Sequence, residues 1–559
     1  MEEFMNRKYP LNKIHQYTTL PECLSKMAPL HKDNTAVTIF NSRRELFEYS
    51  YQQLSRDICA FAKALTSLGL SRKHIAIISE NRYEWLVAFW AVGCIGSVTV
   101  AIDVEQTAVE ICRMLDHADV QAAVVSGEFI SLTEESTFPA ETIISMDYGE
   151  NDLILSFWEC IRKSSPCDPD DTLLAPVMAA VKEDDLALLI NTSGTTSASK
   201  LVMLSHGNLL HNACNAQALV TTGDRVFTPL PLYHTYSLVC GAINVLTQGQ
   251  NICINGNLKT LMEELKLFSP TLILSVPMIT ETLLKSIHLE QERCGIREEA
   301  ANAVQKYEKL QKLHLPGKPY LNDAVKKVLG ENATLIISGG AHMNEEISGE
   351  FQAYGITVLQ GYGITECSPL VSVNRNKDNK YASVGLLLPE MEVKFSNGEI
   401  LIKGPSVFKG YYKNPQMTKK TFEDGWFRTG DLGYMDRKGH LYISGRKKNL
   451  IVFSNGKKVV PEELEKRILK LPLVKEAMVY GASNGKAADD VKLSVIIYAD
   501  SAQTHGMSSF QVLEQIQEEV LELNHALPTY MRIYSIKISE TEFRKTSIQK
   551  LKRGDTAHD

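Results

Sequence analysis

Residues 192 to 200, Thr192-Ser193-Gly194-Thr195-Thr196-Ser197-Ala198-Ser199-Lys200, combine hydroxyls, backbone amides around a glycine and one closing cation. A polyphosphate asks for that set, because its spread negative charge is met best by charge-assisted hydrogen bonds and by amides presented in a turn. The spacing G-x-x-x-x-G-K-[ST] is absent, so the run is not a Walker loop. On composition alone, such Ser/Thr/Gly clusters are more often ordinary turns.

What positions this run is a buried strand, Leu186 to Asn191, directly before it. Similar short β-branched runs, Ile75–Ser79, Ala122–Ser126, Val226–Leu230, Thr271–Val276 and Thr334–Ser338, alternate with longer helical patterns. Nearly continuous apolar strands between helices predict parallel sheets covered on both faces. The uncharged stretch Trp85 to Ile102 reaches the length of a membrane span, but Gly93 and Gly96 interrupt it. Its composition changes there from Trp, Leu and Ala to alternating Val and Thr, which predicts a buried helix over Glu84–Val92 and a strand over Ser97–Ile102. From Leu284 to Lys327, apolar residues at intervals of three and four among Lys, Arg, Glu and Gln predict solvated amphipathic helices. After Glu399 the pattern shifts to short strands, Glu399–Lys403, His440–Ser444 and Asn449–Phe453, with Asn455-Gly456 as a hairpin signal. A helix is predicted from Pro461, whose missing amide hydrogen costs nothing at a helix start, with Glu462 and Glu463 at the positive end. The fold class is α/β: a large N-terminal domain of helix-covered, mainly parallel sheets (1–446), then a small mixed α+β domain (447–559).

With 559 residues, 44% hydrophobic and 22% charged, the chain has core enough for several packed units and is neither disordered nor fibrous. The balance of 59 Lys and Arg against 66 Asp and Glu supplies no global field for nucleic acid. Eleven cysteines, scattered without a C-x-x-C pair and absent after Cys367, indicate neither a disulfide framework nor a zinc ribbon. With no secretory signal at the start, the expectation is a reduced, cytoplasmic protein without a transmembrane segment.

Further motifs follow the phosphate-type loop in a fixed order: Ser338-Gly339-Gly340-Ala341, Tyr362-Gly363-Ile364-Thr365-Glu366, and Gly425-Trp426-Phe427-Arg428-Thr429-Gly430-Asp431. Gly445-Arg446-Lys447-Lys448-Asn449 and Lys545-Thr546-Ser547-Ile548-Gln549-Lys550 complete the series. Together they resemble the adenylate-forming superfamily of acyl-CoA synthetases, firefly-type luciferases and peptide-synthetase adenylation domains, over nearly the whole chain. The tone, above all from Asp424 to Lys448, is most like bacterial long-chain fatty acyl-CoA synthetases.

The resemblance implies a ligase that uses ATP and Mg²⁺ to turn a carboxylic acid into acyl-AMP, with coenzyme A as co-substrate. It implies that Thr192, Ser193, Gly194, Thr195, Thr196 and Lys200 cradle the β- and γ-phosphates, and that Glu366, with Thr195, holds the metal. Thr365 would bind the α-phosphate, Gly339, Gly340 and Ala341 would flank adenine, and Tyr362 and Gly363 would complete the nucleotide site. Asp431 would accept from the ribose hydroxyls beside Arg446, Lys550 would be the catalytic lysine, and Lys448 the hinge between domains. Tyr233, His234, Tyr236 and Gly361 would line the acid site. Two positions depart from the family: Ser197 and Leu201 stand where glycine is usual, which raises a rival reading as a degenerate nucleotide- or acyl-binding homologue.

The wall segment Pro231 to Gly249 has no Asp, Glu, Lys or Arg. A buried ammonium or second carboxylate would need a counter-charge, so an apolar monocarboxylate fits better. His234 and Tyr236 suit a gate, and equally a hydrogen-bonded core histidine and a packed aromatic. CoA is the leading acceptor, and the phosphopantetheine thiol of an acyl carrier protein is the alternative.

Overall fold

The computed structural model describes residues 11–40, 44–147, 154–191, 200–453, 457–483, 491–501, 503–543 and 553. It contains two compact units, one of residues 1–392, 403–425 and 437–440, the other of residues 393–402, 426–436 and 441–559.

The first unit is built on two large sheets. One has eight strands in the order Gly410–Tyr411, Leu201–Ser205, Leu186–Asn191, Val98–Ala101, His74–Ile78, Ala122–Val125, Thr142–Ser145 and Ile154–Ser156. From Leu186–Asn191 onward every neighbour is parallel, whereas Leu201–Ser205 turns back antiparallel. The other has nine strands, with Arg225–Thr228, Leu272–Ser275, Leu335–Ser338 and Thr357–Gly363 parallel at its centre. The six expected core strands are all present, shifted by at most two residues at their ends, because apolar runs of this length have no stable alternative to burial on both faces.

The uncharged stretch folds as expected into a helix, Tyr83–Cys94, whose residues are buried except Glu84, and a strand, Val98–Ala101. Among the described residues no helix is long and apolar enough to cross a membrane. The polar region folds into helices Pro277–Arg293, Arg297–Lys312 and Asp323–Leu329, whose apolar stripes cover the nine-stranded sheet through Leu283, Ile287, Val304 and Val325.

In the second unit, Glu399–Lys403, Trp426–Met435 and Leu441–Arg446 form antiparallel neighbours. A three-stranded sheet, Val474–Ser483, Val491–Ala499 and Ile533–Ser539, packs with helices Pro461–Ile468 and Ser509–His525 around Leu464, Val495 and Ile516. The helix from Pro461 starts as expected, with Glu462 and Glu463 in its first turn. Strands Ile451–Val452 and Lys458–Val459 pair antiparallel, and the expected Asn455-Gly456 turn between them lies outside the described residues.

Candidate active site

Among the described residues of the first unit, Gly339 to Ala341 and Thr365–Glu366 follow strands that pair in parallel, at the carboxyl ends where open α/β sheets bind ligands. Thr192 to Ser199 lie outside the described residues, but their flanks are fixed: Asn191 and Leu201 are register partners across the antiparallel pair. Leu201 is buried in that strand without a left-handed backbone, so its side chain meets no strain at this departure from the family pattern. Lys200, which closes the loop, is half-buried and holds its ammonium 6.0 Å from the centre of the Tyr411 ring.

Tyr411 in turn donates its hydroxyl to Glu366 Oε1 at 2.8 Å. Burial, and next the Glu366 charge, push the phenol far above its usual range, which keeps it a donor. The Phe408 amide donates to the Glu366 carbonyl at 2.8 Å, so both ends of this residue are held by the same segment. Glu366 lies in a tight turn, Thr365–Cys367, after strand Thr357–Gly363. The return limb comes so close that a Cβ on Gly363 would meet the Pro369 carbonyl oxygen at 2.6 Å. Asn212 clamps the turn: its Nδ2 donates to the Cys367 and Leu370 carbonyls at 3.0 and 2.7 Å, and its Oδ1 accepts from the Leu370 amide at 3.1 Å. The helix that carries Asn212, His206–Leu219, starts at a capping box between Ser205 and Asn208.

Strand Leu335–Ser338 delivers Gly339, Gly340 and Ala341, of which Gly340 and Ala341 are exposed. The Gly339 amide donates to the Ser275 carbonyl at 3.1 Å, and a Cβ on Gly339 would lie 3.2 Å from Cζ of Tyr236. Tyr236 donates its hydroxyl to the Ile337 carbonyl at 2.9 Å and begins a wide, π-type helical segment, Tyr236–Ile243. Its ring is also part of the lining of an apolar cavity of about 40 Å³ with Cys240, Leu272, Leu274, Ile337 and Leu370. Tyr233 is buried and meets His234 edge to face at 4.9 Å. Asn81 fixes this loop by donating to the Leu230 carbonyl at 2.9 Å and accepting from the Leu232 amide at 2.8 Å. Gly361 and Tyr362 pair with Val373 and Ser372 on the antiparallel neighbour.

In the second unit, Asp431 and Arg446 are register partners on adjacent strands, and Arg446 Nε lies 2.7 Å from Asp431 Oδ1. Asp431 is buried, 2% exposed. Beside them Glu399 Oε2 receives Arg428 at 2.6 Å and Lys447 at 2.7 Å. Burial works to raise the Glu399 carboxyl, but these two cations outweigh it and hold it below the usual carboxylate range. Lys448 is exposed in the short turn Lys447–Asn449. Lys550 lies outside the described residues, while Arg553, three positions on, is anchored to Glu465 Oε2 at 2.5 Å and to the Val479 carbonyl at 3.3 Å.

The sequence motifs do not include Tyr411, Asn212 or Glu399, which the structure places against motif residues. Each acts on a motif across at least 29 positions of chain. The only sequence trace of Tyr411 is the Gly410-Tyr411 pair before a turn.

Two sheets with strand ends converging on glycine-rich loops, followed by a small α+β unit, are the architecture of adenylate-forming enzymes. The fold of an anthranilate CoA ligase, AuaEII, solved with anthranoyl-AMP, matches with a TM-score of 0.75 over 96% of both chains at 20% identity. A Mycobacterium tuberculosis fatty acyl CoA synthetase matches with a TM-score of 0.66 over 96% of both chains, also at 20% identity. The AMP-binding enzyme family model matches residues 25–412, and the AMP-binding enzyme C-terminal domain model matches residues 448–559. The long-chain-fatty-acid–CoA ligase FadD15 of Mycobacterium bovis is 31% identical over 489 residues, covering 80% of each chain. The long-chain-fatty-acid–[acyl-carrier-protein] ligase AEE15 of Arabidopsis thaliana is 27% identical, covering 77% of this chain and 70% of its own. This chain belongs to the AMP-binding enzyme family and is an AMP-forming acid–thiol ligase of the acyl-CoA synthetase type.

Proposed function

We propose that the enzyme activates an apolar, fatty carboxylic acid with MgATP and passes the acyl group to the thiol of CoA. The observation that carries this reading is Tyr236, which lies against Gly339 of the candidate adenine loop and also lines an uncharged cavity. Nucleotide and oily acid would thus share one wall.

In the first step a carboxylate oxygen attacks the α-phosphorus, the bond to the bridging oxygen of the β-phosphate breaks, and pyrophosphate leaves. In the second, the thiol attacks the acyl carbonyl of the mixed anhydride, its proton is lost, and AMP departs. The first step gathers negative charge, so the protein's part is to place cations and donors in advance.

We assign the β- and γ-phosphates to Thr192, Ser193, Gly194, Thr195, Thr196 and Lys200, the α-phosphate to Thr365, and the adenine face to Gly339, Gly340, Ala341, Tyr362 and Gly363. Glu366, with Thr195, fits Mg²⁺, an ion that takes one or two carboxylates plus phosphate oxygens rather than a cage of protein ligands. Its carboxylate is only partly buried and is fixed by Tyr411. When bound, the ion supplies positive charge against the leaving pyrophosphate. Asp431, oriented by Arg446, is assigned to the ribose hydroxyls. Lys550 is assigned to the attacking carboxylate and α-phosphate; Arg553, three positions on in sequence, is held by Glu465. His234 and Tyr236 are assigned to the neck of the acid site, with Tyr233 and Gly361 in its wall. Lys448 is assigned as the hinge at the boundary of 1–446 and 447–559; the family's C-terminal model begins at that residue.

The test is a panel of fatty, aromatic and branched acids with MgATP, with and without CoA, read by mass spectrometry. Fatty acyl-AMP without CoA, and its rapid conversion to acyl-CoA with it, are expected. Adenylate that accumulates despite CoA would instead point to a carrier-protein thiol.

A further inference from the structure

The cavity beneath Tyr236 has a second end. Gln217 and Asn244, both more than nine-tenths buried, line it together with Thr222. Gln217 Nε2 donates to Asn244 Oδ1 at 3.0 Å and to Gln250 Oε1 at 3.3 Å, and its Oε1 accepts from Thr222 Oγ1 at 3.2 Å. Gln250 Nε2 donates to Thr222 Oγ1 at 2.6 Å and to the Gly223 carbonyl at 2.8 Å, and Asn244 Nδ2 to the Ala213 carbonyl at 2.5 Å. The cluster ties helix His206–Leu219 to the segment from Tyr236 and to the loop before strand Arg225–Thr228.

We propose that this amide cluster is the floor of the acyl pocket and sets the longest chain the enzyme accepts, with Gln217 as the specificity-determining residue. The proposal rests on the reading of this cavity as the acid site. A buried amide network whose members bond one another resists displacement, since a methyl end pushing into it would leave donors and acceptors unpaired. Nor does it reward a chain that carries its own polar end, because Gln217 is already engaged through both its nitrogen and its oxygen. The occupant it fits is a methyl-terminated chain that stops short of it.

Length follows from geometry. From Tyr236 to Asn244 the helical segment advances at most roughly 12 Å, the α-helical limit at ~1.5 Å per residue, and somewhat less in its wider π-type form. An extended chain with C–C bonds of ~1.5 Å fills that span with about eight to ten carbons. The cavity is about 40 Å³, so Tyr236 and the apolar side chains around it must part to admit the chain. Apolar side chains can shift at the cost of repacking, whereas displacing the amide floor would leave several buried donors and acceptors unpaired as well.

The experiment measures kcat/KM for straight-chain saturated acids from butanoic to octadecanoic, in the full-length protein and three variants. In the native enzyme, kcat/KM should fall about 10-fold or more past the limiting length, the scale of one misplaced methylene. Gln217→Ala should move the optimum to longer acids, and Cys240→Phe, which fills the cavity above the floor, to shorter ones. Gln250→Ala loosens the same network from a residue that does not line the cavity, so it should lower thermal stability without moving the optimum. If Gln217→Ala does not fold, a shortened optimum in Cys240→Phe beside an unmoved one in Gln250→Ala still decides. A native optimum at octadecanoic acid, or a profile unmoved in both Gln217→Ala and Cys240→Phe, overturns the floor and leaves the synthetase reading standing. Absence of acid-dependent ATP–pyrophosphate exchange with every acid overturns both.

Discussion

The hydroxyl of Tyr411 donates to Glu366 across 45 positions of sequence, and the ammonium of Lys200 approaches the same ring. One phenol therefore stands between the carboxylate assigned to the metal and the last residue of the candidate phosphate loop. It fixes the carboxylate's direction before any nucleotide arrives, the preorganisation that an ionic site needs.

Tyr411→Phe removes that bond and keeps the ring. The expected effect is a rise of about 10-fold in KM for MgATP, the size of one charge-assisted hydrogen bond of ~1.5 kcal/mol, with a smaller change in KM for the acid. Steady-state kinetics at several magnesium concentrations would check it. Equal changes in both KM values would show that Tyr411 does not act through Glu366.

Lys550→Ala should lower acyl-AMP formation by several orders of magnitude while thioester formation from supplied acyl-AMP stays near the native rate. The two half-reactions are measured separately by quenched flow. Unchanged adenylation would remove Lys550 from its assigned place.

Lys448→Pro fixes one backbone dihedral at the assigned hinge. Thioester formation from preformed acyl-AMP should slow about 10-fold or more beyond any loss in adenylation, as expected where a conformational step separates two reactions. Parallel losses in both steps would argue that the residue is not a hinge.

His206, at the start of the helix that carries Asn212, is fully buried, and its Nδ1 accepts from the Leu20 amide at 3.3 Å. Burial first, with Arg72 nearby, lowers its pKa from 6.5 to about 4, and the opposing Asp185 charge does not reverse this. The unfolded chain therefore binds a proton that the folded chain refuses. The stabilisation is complete above pH 6.5 and lost as pH falls toward 4, at most ~3 kcal/mol. His206→Gln should flatten the fall in Tm between pH 7 and pH 5; an unchanged slope would assign it to other groups.

Much of the fold was legible because buried strands such as Leu186–Asn191 and Leu335–Ser338 are short apolar runs that have few places to go. The motif residues were legible by their order along the chain. What pairing alone decides was not: Glu399 reads as a strand end, yet it gathers Arg428 and Lys447 beside the assigned hinge. Asn212 reads as one of several polar residues in its helix, and only the fold reveals which carbonyls it faces. Leu201 looked costly where glycine is usual, but an extended, paired strand accepts any side chain there.

Asn212 also carries a mechanical consequence. Its side chain rivets a helix that borders the greasy cavity to the bend that bears Glu366, through three bonds sealed from water. Helix and bend are thereby fastened as one piece, and neither can shift alone without breaking buried bonds.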